Sequence, residues 1–154
     1  MIVIAIATAS RSRSDKLYSR LKKELCDPDA IMASFQYPAY KAARILGWDG
    51  KFDLRGRKLV ATIYNAGEEY DKDRCIKKME DLLVHSKRRA VIISDVKSKK
   101  QIDMLKSVAG IKLIVCSDNK SQCDGLITVY TGDGDIDDIV PRIMKKVNEI
   151  TERK

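Results

Sequence analysis

Four short apolar runs constrain the fold of this chain more than any other feature: Ile2–Ala7 (IVIAIA), Ala90–Ile93 (AVII), Ile111–Cys116 (IKLIVC) and Leu126–Tyr130 (LITVY). They lack the polar alternation of a strand with one wet face. Runs of this kind belong to strands buried on both sides, and such strands sit in parallel sheets covered by helices. A weaker run, Ile31–Phe35, is a fifth strand candidate.

The segments between them carry helical spacing. Ser14–Leu25 places Leu17, Leu21 and Leu25 on one face, and Lys99–Ala109 does the same with Ile102, Leu105 and Val108. A last helix is expected from about Asp138 to Arg153, capped by Asp137, with Pro141 in its first turn and Ile139, Ile143, Val147 and Ile150 on one side. The middle, about 38–86, reads as a mostly helical insertion broken at Gly47–Gly56 and Asn65–Asp71. Alternating strands and helices imply an α/β three-layer sandwich with a mainly parallel sheet. At 154 residues the chain suffices for a single domain with one core.

In such folds ligands collect where strands end and helices begin. That rule nominates the turn after Ala7, the end of "VIISD" at Asp95, and the turn after Cys116. The net charge of +8 favours polyanionic partners: nucleotide phosphates, nucleic acid or acidic lipid. The cysteines, Cys26, Cys75, Cys116 and Cys123, show no CxxC spacing, and His85 is the one histidine, so a structural zinc site is not expected. "MIVIAIATA" imitates an export signal at Ala7-Thr8-Ala9 but has no basic leading region. No run approaches the roughly 20 apolar residues of a membrane span. A cytoplasmic location with reduced thiols is the expectation.

The first nominated turn, "ATASRSRS" (Ala7–Ser14), contains no glycine, and the first glycine of the chain is Gly47. The phosphate-loop pattern is G-x-x-x-x-G-K-[ST]. Aligned to it, Ala7 and Ser12 take the glycine positions, Arg13 the lysine and Ser14 the hydroxyl, so only Ser14 matches. The physics is more permissive. Small side chains hinder backbone approach little, arginine keeps the charge, and the start of a helix still offers unbonded amides and a positive dipole end. Arg11 and Lys16 add to that potential. A phosphate site and a plain polar turn both remain open.

Further segments point one way. "GWDGKFDLRGRKLVATIYNAGEEYD" resembles the acceptor segment of deoxynucleoside monophosphate kinase-like P-loop proteins, in which G-W-D-G-K leads into a G-R helix. "RRAVIISDVKSKKQIDMLKSVAGIKLIVC" is similar to the family's later strand, helix and strand, and "CDGLITVYTGDGDIDDIVPRIMKKVNEI" to its closing unit. These last two also resemble phosphomevalonate kinases, so the acceptor is open. The resemblance covers nearly the whole chain in the family's order and implies a P-loop kinase fold with a degenerate Walker A turn. It implies ATP and Mg²⁺ as cofactors and transfer of the γ-phosphoryl group to a small phosphate-bearing acceptor. Ala9, Ser10, Arg11, Ser12, Arg13 and Ser14 would cradle the nucleotide, with Arg13 on the β/γ-phosphates. Ser14 and Asp95 would hold the metal. Trp48, Asp49, Lys51 and Lys97 would border the acceptor, and Arg57 would contact its phosphate. Arg13, Asp95 and Arg57 would be the catalytic set.

The chain also departs from the family. Ala61 and Tyr64 replace a glutamine and a glycine of the family's helix, Glu68 or Glu69 stands where an arginine is expected, and Lys97 replaces the arginine after "SDV". Phosphoryl transfer depends on positioned cations. The rival reading is therefore a catalytically inactive kinase-fold binding module using its basic surface for nucleic acid or a protein partner, a second copy of the chain included. The singled-out residues also have plainer readings. Trp48 and Arg57 would pack and cap the insertion, Asp95 would satisfy a neighbouring helix start, and His85 would end its helix at the surface. Lys87–Arg89 and Lys97–Lys100 would be solvated, and the acidic Asp133–Asp138 would be a helix entry and not a calcium loop.

Overall fold

The computed structural model describes residues 1–25, 30–119, 127–132 and 134–152. Its elements in chain order are β1 (Ile2–Ala7), α1 (Arg11–Leu25), β2 (Ala30–Ala33), α2 (Tyr37–Ile45), α3 (Leu54–Tyr70), α4 (Arg74–His85), β3 (Ala90–Ile93), α5 (Lys99–Ser107), β4 (Lys112–Ser117), β5 (Ile127–Tyr130) and α6 (Ile136–Glu152). The strands form one five-stranded sheet in the order β2-β3-β1-β4-β5, and every pairing is parallel.

Period-two geometry sorts the apolar runs onto two faces. From β1, β3 and β4, the residues Val3, Ala5, Val91, Ile93, Leu113 and Val115 join one cluster with Met79 and Leu83 of α4 and Ile102 and Leu105 of α5. The intervening Ile4, Ile6, Ile92, Ile114 and Cys116 join a second cluster with Leu17 and Leu21 of α1 and Ile139, Ile143, Val147 and Ile150 of α6. The helices therefore cover both sheet faces, which is why these strands carry no polar alternation. The connection from β1 runs toward the β2 edge, whereas those from β2 to β3 and from β3 to β4 run the opposite way. Right-handed crossovers of opposite direction must lie on opposite faces, as α1 and α5 do. Among the described residues, no helix is long and apolar enough to cross a membrane.

Several boundaries differ from the sequence expectation, each for a local reason. α1 begins at Arg11 and not Ser14, because Ser10 acts as its cap and its Oγ accepts from Arg13 N–H at 3.4 Å. α3 runs through Asn65–Tyr70, where a break was expected, and the chain turns only at Asp71–Asp73, with Asp73 at φ 73°. Gly67 is accommodated inside the helix with open space around it. Gly56, placed in the expected first break, lies within α3, where a Cβ would collide with the Lys51 carbonyl oxygen. α5 stops at Ser107, since Val108 is extended and Gly110 takes φ 78°. α6 starts at Ile136. Asp135, not Asp137, caps it and accepts from Asp137 N–H at 3.2 Å, so Pro141 falls in the helix interior. Leu126, Arg153, Cys26 and Cys123 lie outside the described residues.

Candidate functional site

The connection after β1 heads for one sheet edge and that after β4 for the other, so the topological switch lies between their carboxyl ends. There the backbone N–H of Ala9 donates to Asp118 Oδ2 at 2.8 Å. A carboxylate of the protein itself thus occupies an amide of the turn that the sequence nominated for phosphate. A cavity of about 400 Å³ opens beside this bond, lined by Thr8, Ala9, Lys97 and Asn119 among others.

On the β3 side, Thr8 Oγ1 and Ser14 Oγ share a 2.6 Å hydrogen bond, and Ser14 is only 3% exposed. These hydroxyls belong to residues that line a recess of about 100 Å³ together with Asp95 and Lys97. The two residues expected to hold a metal, Ser14 and Asp95, are therefore brought to one recess. Asp95 is already engaged. It accepts from Ser34 Oγ at 2.7 Å, from Phe35 N–H at 3.0 Å and from Gln36 N–H at 3.2 Å, directly before α2. Gln36 has no side-chain cap of its own, so Asp95 supplies that function from a different strand.

A larger space than either lies not over the switch but along α1. A cleft of about 770 Å³ is lined by Arg11, Ser12, Lys16 and Arg20 of α1, Phe52 and Arg57 of the insertion, and Asp135 and Asp137 at the entry of α6. The amides of Arg11 and Ser12, first in the helix, have no intrahelical acceptor. Arg20 pairs with Asp137 at 2.9 Å, and Arg57 Nε donates to Asp53 O at 3.4 Å. Arg13 points elsewhere. Its Nη2 donates to Thr131 O at 3.1 Å and to Gly134 O at 2.6 Å, and its buried Nε meets no acceptor among the described residues.

Of the insertion residues, Trp48 donates from Nε1 to Lys51 O at 2.9 Å and packs against Phe52, ring centroids 4.9 Å apart at 81°. Asp49 accepts from Lys51 N–H at 2.9 Å and pairs with Lys51 Nζ at 3.6 Å, both side chains exposed. Neither Asp49 nor Lys51 lines the spaces just described. His85 is exposed at the end of α4, its ring Nδ1 2.9 Å from Asp81 O.

No protein-family model and no curated protein matches this chain.

Glu68, which departs from the resembled pattern, anchors the first turn of α4, where its Oε1 accepts from Cys75 N–H at 3.4 Å. Burial, reinforced by Glu68, pushes the Tyr64 hydroxyl up to about 12. Burial, again with Glu68, pushes the Cys75 thiol up to about 12 as well. Asp118, Tyr40 and Phe52 were not singled out by sequence reasoning. Asp118 carried a partial signal, since it follows an apolar run ending at Cys116. The two aromatics carried none, because only the folding of the insertion over α1 brings Phe52 to the cleft and Tyr40 to the recess.

Proposed function

We propose that this chain is a P-loop kinase-like protein, related to deoxynucleoside monophosphate kinases, that binds a nucleotide at the carboxyl edge of its sheet. The observation carrying this reading is the placement of the amino end of α1. It stands beside the topological switch and faces a cleft with arginines from two separate elements, Arg11 and Arg57. Helix dipole, unbonded amides and guanidinium groups act together on an anion there. The all-parallel sheet with helices on both faces is compatible with the fold that the resemblance implies.

A second reading, the catalytically inactive binding module, is favoured by one observation. Arg13, which the alignment sets at the position of the phosphate-loop lysine, gives its donors to the carbonyls of Thr131 and Gly134. Asp95 likewise has three acceptor positions filled by backbone and hydroxyl donors. Incubation with γ-labelled ATP, Mg²⁺ and a panel of nucleoside monophosphates separates the two readings. Label transfer that disappears in Ser14→Ala supports a phosphotransferase. Nucleotide binding without transfer supports the module, and salt-sensitive nucleic-acid binding alone removes the nucleotide reading.

A further inference from the structure

Resting on the reading that a phosphate-bearing ligand enters the cleft along α1, we propose that Arg11, not Arg13, grips that phosphate. Phe52 and Tyr40 are the positioning residues that hold Arg11 in place.

Arg11 lines both the 770 Å³ cleft and the 100 Å³ recess and so stands where the two spaces meet. Its guanidinium carbon lies 3.7 Å from the centroid of the Phe52 ring and 5.9 Å from that of Tyr40. Arginine suits such stacking because its planar, weakly hydrated cation keeps its edge donors available while one face rests on an aromatic ring. One of those donors, Nη2, reaches Tyr40 Oη at 3.3 Å. Tyr40 in turn donates to Gln36 Oε1 at 2.9 Å, and Gln36 N–H donates to Asp95 Oδ2 at 3.2 Å. A continuous path of hydrogen bonds thus runs from the end of β3 to the guanidinium. Phe52 is braced from the other side by Trp48 and, edge-on, by Tyr40 at 5.6 Å and 82°.

The bracket has an energetic consequence. A free arginine side chain loses rotamer freedom when fixed, and a side chain ordered before the ligand arrives has already met that cost. The charge itself is not neutralised. The acidic partner of Arg11 is Asp15 at 3.8 Å, with side chains 45% and 56% exposed, an arrangement that screens heavily. Arg57 lines the same cleft and supplies a second cation, so α1 and α3 each contribute an arginine toward a phosphate or diphosphate group there. Arg13 cannot join them while bound to Thr131 and Gly134. Trp48 and Asp95, expected on the resemblance to border an acceptor and to bind metal, serve here to aim Arg11.

Calorimetric titration of the full chain with pyrophosphate and with ATP–Mg²⁺ tests this, using the wild type, Arg11→Ala, Arg13→Ala, Phe52→Leu and Phe52→Tyr. Because Arg11 and Phe52 reach the surface, thermal unfolding of the variants at these two positions should stay close to the wild type. Losing a charge-assisted clamp should weaken both ligands about tenfold or more in Arg11→Ala. Phe52→Leu should weaken them by about three- to tenfold, with Phe52→Tyr restoring affinity to within about twofold because its ring face is kept. Arg13→Ala should stay within about twofold. If the wild type binds and Arg11→Ala binds equally well, or Arg13→Ala is the variant that fails, the assignment to Arg11 is overturned while the nucleotide reading stands. Unchanged affinity in Phe52→Leu overturns the bracket. A wild type silent to both ligands overturns the nucleotide reading and the assignment together.

Discussion

Arg13 and Gly134 are joined by a 2.6 Å hydrogen bond from guanidinium Nη2 to backbone carbonyl, tying the first turn of α1 to the residues just before α6. The same nitrogen reaches Thr131 O at 3.1 Å, so one side chain laces two helices of the same sheet face. A residue that sequence alignment sets on a phosphate is here a structural strap. Its removal takes this donor from both carbonyls, although Thr131 O keeps Gly134 N–H at 3.2 Å. Arg13→Ala is expected to lower stability by about 1–3 kcal/mol, the cost of losing hydrogen bonds from a charged donor. Urea unfolding followed by circular dichroism measures this, and an unchanged midpoint would show that the strap contributes nothing.

Asp95 gathers Ser34, Phe35 and Gln36 before α2, so its truncation takes this acceptor from the Ser34 hydroxyl and the Phe35 amide in a partly buried site, while Gln36 N–H keeps Ser34 Oγ at 3.0 Å. Asp95→Ala is expected to destabilise the protein by about 1–3 kcal/mol without any nucleotide or metal present. Asp95→Asn, which retains one carbonyl acceptor, should cost less. Equal stability of all three proteins in metal-free buffer would mean that the carboxylate is not the cap of α2.

The occupied amide of Ala9 predicts a gain of function. Asp118 puts a negative charge at the turn where a phosphate would otherwise approach. Asp118→Asn keeps an acceptor for the amide and removes that charge. A unit charge a few ångströms away in well-solvated surroundings is worth about 1 kcal/mol, so pyrophosphate affinity should rise by about fivefold. The rise should shrink at high salt. Affinity unchanged or lowered in calorimetry at low salt would place the bound anion away from this turn.

Tyr64 and Cys75 give the stability a defined alkaline limb. Both ionise in the folded protein only near about 12, against ordinary values of 10.0 for the tyrosine and 9.0 for the thiol. Between those limits the unfolded chain has released protons that the folded chain still holds, so stability falls as pH rises. The contribution is intact below about pH 9 and is lost from there to about pH 12. In Tyr64→Phe with Cys75→Ala this limb should flatten relative to the wild type. Urea midpoints compared at about pH 8 and about pH 10.5 give the readout; parallel declines in both proteins would contradict it.

The sheet was legible because continuous apolar runs admit few alternatives, and β1 and β3 fall within the boundaries expected for them. β4 is shifted by one residue, to Lys112–Ser117, since pairing with β1 and not hydrophobicity decides where a strand begins. The helix starts were less legible. Ser10 caps α1 and Asp135 caps α6, and in each case several serines or aspartates in a row competed for that position. The site was legible only by address. The ends of β1, β3 and β4 do border the cavities, but the partners of Arg13, Asp95 and Ala9 lie 59 to 121 residues away in sequence. No local pattern encodes them. Glu68 shows the same limit, since its anchoring of α4 depends on α3 running on to Tyr70 through the break expected at Asn65–Asp71.

Titration of ¹⁵N-labelled protein with ATP–Mg²⁺, followed by amide chemical shifts, tests the central claim most directly. The account predicts saturable shifts concentrated on residues 8–16 and 52–57, around the first turn of α1 and the stretch of the insertion that contributes Phe52 and Arg57 to its cleft. Absence of shifts at saturating nucleotide, or shifts confined to the opposite end of the sheet around Arg88, Arg89 and Lys112, would contradict it.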